Sequence, residues 1–152
     1  MLPILDDYLD RLATVHTDLT ATLRDLPVEA LDWSPGPEIN SLAVLAAHIA
    51  GSERYWIGEA AGQEPIKRDR AAEFKTAGVE ADALIMRLDA SLTHSQSVLT
   101  RLTLADLEKI TNVKHDDRSV TGAWALQHAL EHVSVHLGHM QIMRQLWDQA
   151  HP

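Results

Sequence analysis

The 152-residue chain contains no cysteine. That absence removes disulfides, thiolate metal ligands and cysteine nucleophiles together. No uninterrupted apolar run reaches about 18 residues, so no transmembrane helix is expected. The N-terminus, MLPILDDYLD, carries early aspartates and no basic leader, which is not the pattern of a secretory signal. The cytoplasm is therefore the expected compartment. Positive charge is scarce: 13 Lys and Arg against 22 Asp and Glu give a formal charge of −9. Nothing in that balance would neutralise phosphates, so no nucleic-acid partner is expected. Hydrophobic residues make up 45% and charged residues 23%, ordinary for a globular protein. The length suits one domain over residues 1–152.

What is present is helical periodicity. Leu5, Tyr8, Leu9, Leu12, Val15, Leu19 and Leu23 recur at three and four, with Asp6, Asp7 and Asp10 in the first turns where the helix dipole favours negative charge. His16 lies in this helix and reads as a surface or boundary residue. Pro27, Pro35, Gly36 and Pro37 interrupt the pattern, and Trp33 in that connection is expected to plug the bundle end. Asn40 or Ser41 then caps a second helix from Leu42 to about Ala60, which carries His48 on an inward face. Residues 61–78 read as a long polar loop with a turn near Ala71 to Phe74, and loops of that length often form a wall or lid. A third helix runs from Val79 to about Leu102, with His94 off its apolar stripe and expected in solvent. Thr103 caps one further turn. Residues 112–119, NVKHDDRS, read as a charged loop, in which His115 with Asp116 and Asp117 reads as solvated rather than as a surface metal site.

The last helix follows, capped by Thr121 and unbroken by proline until Pro152. Four of the nine histidines, His128, His132, His136 and His139, fall on it. At about 100° per residue they project within an arc of about 80°. Leu146 falls in that arc and Trp124, Val135 and Ile142 within about 40° of it, so this side is expected to face inward. Four long amphipathic segments with no convincing strand predict an all-α four-helix bundle with a few short extra helical turns.

A single histidine on an apolar stripe is usually a core residue. Four on one stripe would each need two polar partners or a metal. His132 and His136, four apart, have Cβ atoms about 6 Å apart and can reach one ion. The third ligand must come from another element, and His48 is the natural candidate. Three neutral imidazoles leave coordination positions open for water or a small-molecule substrate, as a catalytic site requires. At an unperturbed pKa of about 6.5, such a site would release its ion between about pH 7 and pH 5. Other readings use other residues. His128, Glu131 and His132 spell H-x-x-E-H, a metalloprotease motif, without an evident peptide cleft. Haem between two histidines would need large apolar residues that the chain has few of. A di-iron carboxylate bundle needs repeated E-x-x-H, which occurs nowhere in the chain.

EHVSVHLGHMQIMRQLW on the last helix, together with AHIAGSERYWIGEAAG on the second, resembles the DinB/YfiT-like superfamily of bacterial metal-binding bundles. The resemblance spans nearly the whole chain. It implies one histidine from the second helix and a His-x-x-x-His pair from the fourth, here His48, His132 and His136, around a divalent ion, zinc first and nickel second. It also implies a homodimer and a thiol-dependent reaction of the S-transferase type, with a low-molecular-weight thiol as cosubstrate. The alternative is a metal-binding or stress-response bundle without catalysis. Several members follow the last ligand with Arg-Gly-Gln, where this chain has Leu137, Gly138, His139, Met140 and Gln141. His139 is thus an extra imidazole, a candidate for supporting the ligands or moving a proton. Glu131 is a second catalytic candidate, though it projects about 100° from His132.

Overall fold

The computed structural model describes residues 1–113 and 117–152. The pairing of His115 with Asp116 and Asp117 lies outside the described residues. Four long helices form the bundle: α1 (Pro3–Leu23), α3 (Leu42–Glu53), α5 (Ala81–Leu99) and α7 (Gly122–Ala150). Short helices α2 (Val28–Asp32), α4 (Arg70–Glu73) and α6 (Leu104–Glu108) sit in the connections. Around the bundle, α1 and α3 each pack between α5 and α7, so α1 and α3 lie diagonally opposite. The four-helix architecture expected from periodicity is the one observed.

Local chemistry explains the boundaries. Pro3 opens α1, where its missing N–H has no helical partner to lose. Ser41 accepts from Val44 N–H at the start of α3, and Thr121 from Trp124 N–H at the start of α7. Thr103 and Asp106 form a reciprocal capping box on α6. Trp33 packs edge-on against Trp147, ring centroids 5.9 Å apart, at the end of the bundle.

Three features depart from the periodic reading. The second helix is α-helical only to Glu53 and continues as a π-helix, Arg54–Ala61, with Gly62 N–H donating to Ile57 O at 2.9 Å. Residues read as loop form an antiparallel hairpin, β1 (Ile110–Val113) and β2 (Arg118–Thr121), pairing Ile110 with Thr121 and Val113 with Arg118. Thr111 Oγ1 donates to Ala60 O at 3.1 Å and ties this hairpin to the π-helix. The third departure concerns α7. Its buried residues are Ala125, Leu126, Ala129, Val133, Leu137, Met140 and Met143, whereas Val135 is 52% and Ile142 57% exposed. The core face is thus offset by about 80° from the middle of the histidine arc, which runs along its edge rather than its centre.

Two histidines expected at the surface are paired instead, one of them buried and the other half-buried. His16 is buried, and its Nε2 lies 2.6 Å from Glu53 Oε2, a bond that crosses the bundle diagonal from α1 to α3. Ser95 of α5 donates to the other Glu53 oxygen at 2.7 Å. A carboxylate with no exposed surface needs such partners, because its desolvation is otherwise uncompensated. His94 Nε2 pairs with Glu64 at 2.6 Å, and its ring lies where a Cβ on Gly58 would be, so glycine there permits the close approach.

Candidate metal centre

α3 is apolar on nearly every side, LAVLAAHIAGSE, because α2, α4, α5 and α7 cover it. His48 is the one imidazole in that helix, buried and turned toward α7. Its Nε2 lies 3.1 Å from His132 Nε2, and His136 Nε2 lies 3.2 Å from the same atom. His48, His132 and His136 offer three nitrogens within 4.8 Å of one another, the one such group among the described residues. Two bonds of 2.0–2.1 Å in a tetrahedral shell set ligand nitrogens about 3.4 Å apart, so the spacing suits a single ion.

The tautomers favour that use. His48 Nδ1 lies 3.0 Å from Glu73 Oε2. Arg68 grips the same carboxylate with two bonds, Nε to Oε1 at 2.7 Å and Nη2 to Oε2 at 2.8 Å. Burial pushes the Glu73 carboxyl up, but the Arg68 and His48 hydrogen bonds outweigh it and hold the group at about 2. An ionised carboxylate only accepts, and it lies nearer His48 Nδ1 than the donor-only Arg68 Nη2 does at 3.3 Å, which favours a proton on Nδ1 and a lone pair on Nε2 toward the cluster. Burial, then the neighbouring histidines, lower His132 to about 3 and His136 to about 4, so both rings are neutral at pH 7. Neutral imidazole is the ligating form. Without an ion, at most a proton on His132 Nε2 stands between the lone pairs, and it serves one neighbour at a time. A cation would satisfy all three.

Glu73 and Arg68 were not foreseen. They come from the 61–78 connection, where Asp69 caps α4 by accepting from Ala72 N–H at 2.9 Å and so turns Glu73 inward. A Cβ on Gly51 would land on the Glu73 carboxylate, so this glycine lets the connection close on α3. Phe74 then covers His48, ring centroids 4.9 Å apart.

The remaining candidates fall to either side. His139 is exposed, and its Nδ1 lies 3.4 Å from His136 Nδ1. Glu131, with a side chain 75% exposed, sits 4.0 Å from His128 Nδ1 and is not gathered to the three histidines. His128 stacks on Trp124 at 4.8 Å and meets Trp56 edge-on at 4.5 Å, an aromatic wall beside His132.

The mycothiol-S-transferase family matches residues 5–149 of this chain. The chain belongs to that family. No curated protein matches it. Among solved structures, a conserved protein from Enterococcus faecalis superposes with a TM-score of 0.76 at 20% identity, covering 98% of this chain and 99% of that one. A mutant of the mycothiol-dependent maleylpyruvate isomerase superposes with a TM-score of 0.69 at 14% identity, over 90% of this chain and 60% of that one. At those identities the likeness is one of fold. Among the described residues no helix is long and apolar enough to cross a membrane.

Proposed function

We propose that this mycothiol-S-transferase family member is a metal-dependent enzyme that joins a low-molecular-weight thiol to an electrophile. The observation that carries the reading is the convergence of His48, His132 and His136 Nε2 atoms at an open groove, with burial keeping His132 and His136 neutral at pH 7. In the reaction the thiol gives its proton to solvent, a sulfur–carbon bond forms, and the bond to the leaving group breaks with its electron pair departing on that group. A divalent ion held by the three imidazoles would supply positive charge that favours thiolate over thiol.

The chain's own residues prepare for this. Three neutral ligands leave an ion's charge undiminished, and Arg68 cancels the one carboxylate at the rear of His48. Glu73 fixes the His48 ring, while burial keeps His132 and His136 from taking the proton that would disable them. The chain brings no thiol of its own, so the sulfur must arrive on a cosubstrate. The reading carries with it zinc, with nickel as the alternative, in a single-domain cytoplasmic protein working as a homodimer. Its test is turnover of 1-chloro-2,4-dinitrobenzene with a panel of thiols, including mycothiol, by zinc-loaded and chelated protein. Metal-dependent formation of the thioether is expected. Stoichiometric metal with no turnover for any thiol would instead support a metal-binding protein without catalysis.

A further inference from the structure

The three histidines divide a groove. One wall is α3 with its π-helical extension and the other is α7, running in opposite directions. Leu45 stands opposite Met143, and farther along Ser52 and Trp56 face His128 and His132. On one side of the cluster is a cavity of about 350 Å³, bounded mainly by Leu45, Ile39, Ile142, Met143 and Leu146, with Glu38, Asn40 and His139 also on it, and reaching His136. On the other is a cavity of about 470 Å³, bounded by Ser52, Tyr55, Trp56, Arg68, Arg70 and His128 and reaching His48 and His132. An ion among the three imidazoles would border both.

We propose that the two halves are separate subsites for the two substrates, an inference that rests on the two-substrate reading above. The polar half takes the body of the thiol and the apolar half takes an apolar electrophile. A water-soluble thiol carries hydroxyl, amide or carboxylate groups, and these need partners when they leave water. The guanidinium of Arg70 and the Ser52 hydroxyl line that half, whereas the other half is walled mainly by aliphatic side chains, with Glu38, Asn40 and His139 also lining it. Conversely, Ile142 is 57% and Ile39 49% exposed, apolar surface that an aryl or alkyl electrophile would remove from water. A cavity of about 350 Å³ is the size of a small molecule rather than of a protein element. Occupants of the two halves would meet at the histidines, which brings sulfur and carbon together without either substrate crossing the other's subsite.

Binding can be read without turnover. The zinc-loaded protein would be titrated with 1,3-dinitrobenzene, which has no leaving group, and separately with S-methylglutathione as a polar thioether. Dinitrobenzene should shift the methyl resonances of Ile142, Leu146 and Met143 and leave the indole N–H signals of Trp56 and Trp124 in place. The thioether should do the reverse. Ile142→Asp should weaken dinitrobenzene binding about tenfold or more, since a carboxylate would enter an apolar wall, with thioether binding retained. Arg70→Ala should show the opposite selectivity. Both probes moving the same half, or neither moving either, would overturn the assignment. So would methyl shifts that follow protein concentration and not dinitrobenzene, which would give the apolar face to a second copy of the chain. Absence of turnover alongside the expected two-sided binding would strike the catalytic reading and leave the subsites standing.

Discussion

The Nε2 atoms of His48 and His132 stand 3.1 Å apart, although 84 positions separate them in the chain. Two imidazole nitrogens at that distance cannot both present a lone pair without something positive between them. A proton on one of them relieves that one contact, whereas a cation would serve all three rings. On the metal reading, purified protein should hold about one divalent ion per chain. His132→Ala and His136→Ala should abolish binding, and His48→Ala should weaken it and shrink the fall in melting temperature caused by a chelator. His128→Ala should keep the ion, which elemental analysis of each variant would reveal. Metal lost from His128→Ala alone would favour the H-x-x-E-H site instead.

Glu73 is expected to act through His48. Glu73→Gln keeps the shape but removes the charge and one acceptor, and loss of such a supporting carboxylate typically costs about 10- to 100-fold in metal affinity. Gly51→Ala should reproduce the effect from the other side of the contact, because the added methyl would displace the carboxylate. Competition with a fluorescent chelator would measure both. Parent-like affinity in Glu73→Gln would show that His48 is held by its packing alone.

The metal-free chain should lose stability as it is acidified. His132 and His136 lie at about 3 and about 4 in the folded chain, against about 6.5 when unfolded. Between those limits the unfolded chain binds more protons, so stability rises with pH and the contribution is intact only above about 6.5. Glu73, held at about 2, adds to the decline lower down, since its contribution is present above about 4.3 and fades toward 2. Urea midpoints at pH 7, 5.5 and 4.5 should fall in that order, and the His132→Ala, His136→Ala double variant should flatten the upper part. If these two rings hold an ion, the same depression would move its release below pH 5, where unperturbed imidazoles would already have let go. A midpoint that rises on acidification would contradict the ring environments described.

The His16–Glu53 pair holds the diagonal of the bundle. Glu53→Ala would leave His16 and Ser95 facing an apolar gap, and breaking a buried pair from one side costs about 3 kcal/mol or more. Urea unfolding would measure it. A loss under about 1 kcal/mol would mean that the pair contributes no more than an exposed one.

Much of this was legible because it is local. Ser41, Thr103 and Thr121 announce their helices through their own hydroxyls, and the three-and-four recurrence of leucines needs no distant partner. The convergence of His132 and His136 was legible from helical spacing, and His48 from its inward place on the second helix, a choice the resemblance repeated. What escaped the reading depends on distant contacts. Nothing around His16 signals that Glu53, 37 residues away, will bury it. Glu73 looks like any charge in a polar loop until Gly51 and Arg68 admit it. Strands of four residues, such as Ile110–Val113, are too short for alternation to outweigh neighbouring charges. Along α7, Val135, Ile142 and Leu146 suggested an inward face with the histidines, yet it is Ala125, Ala129 and Val133 that are buried.

Glu73 stands on the segment crossing from the π-helix to α5, while the three imidazoles stand on bundle helices. If the three imidazoles take up an ion, seating that segment and binding the ion form one linked equilibrium. Whatever factor a seated Glu73 adds to ion affinity, an ion must return as the same factor in how completely the segment stays seated. Amide exchange between residues 68 and 76 would then slow on metal addition in proportion to that factor. The crossing segment becomes an occupancy gauge built from the chain itself.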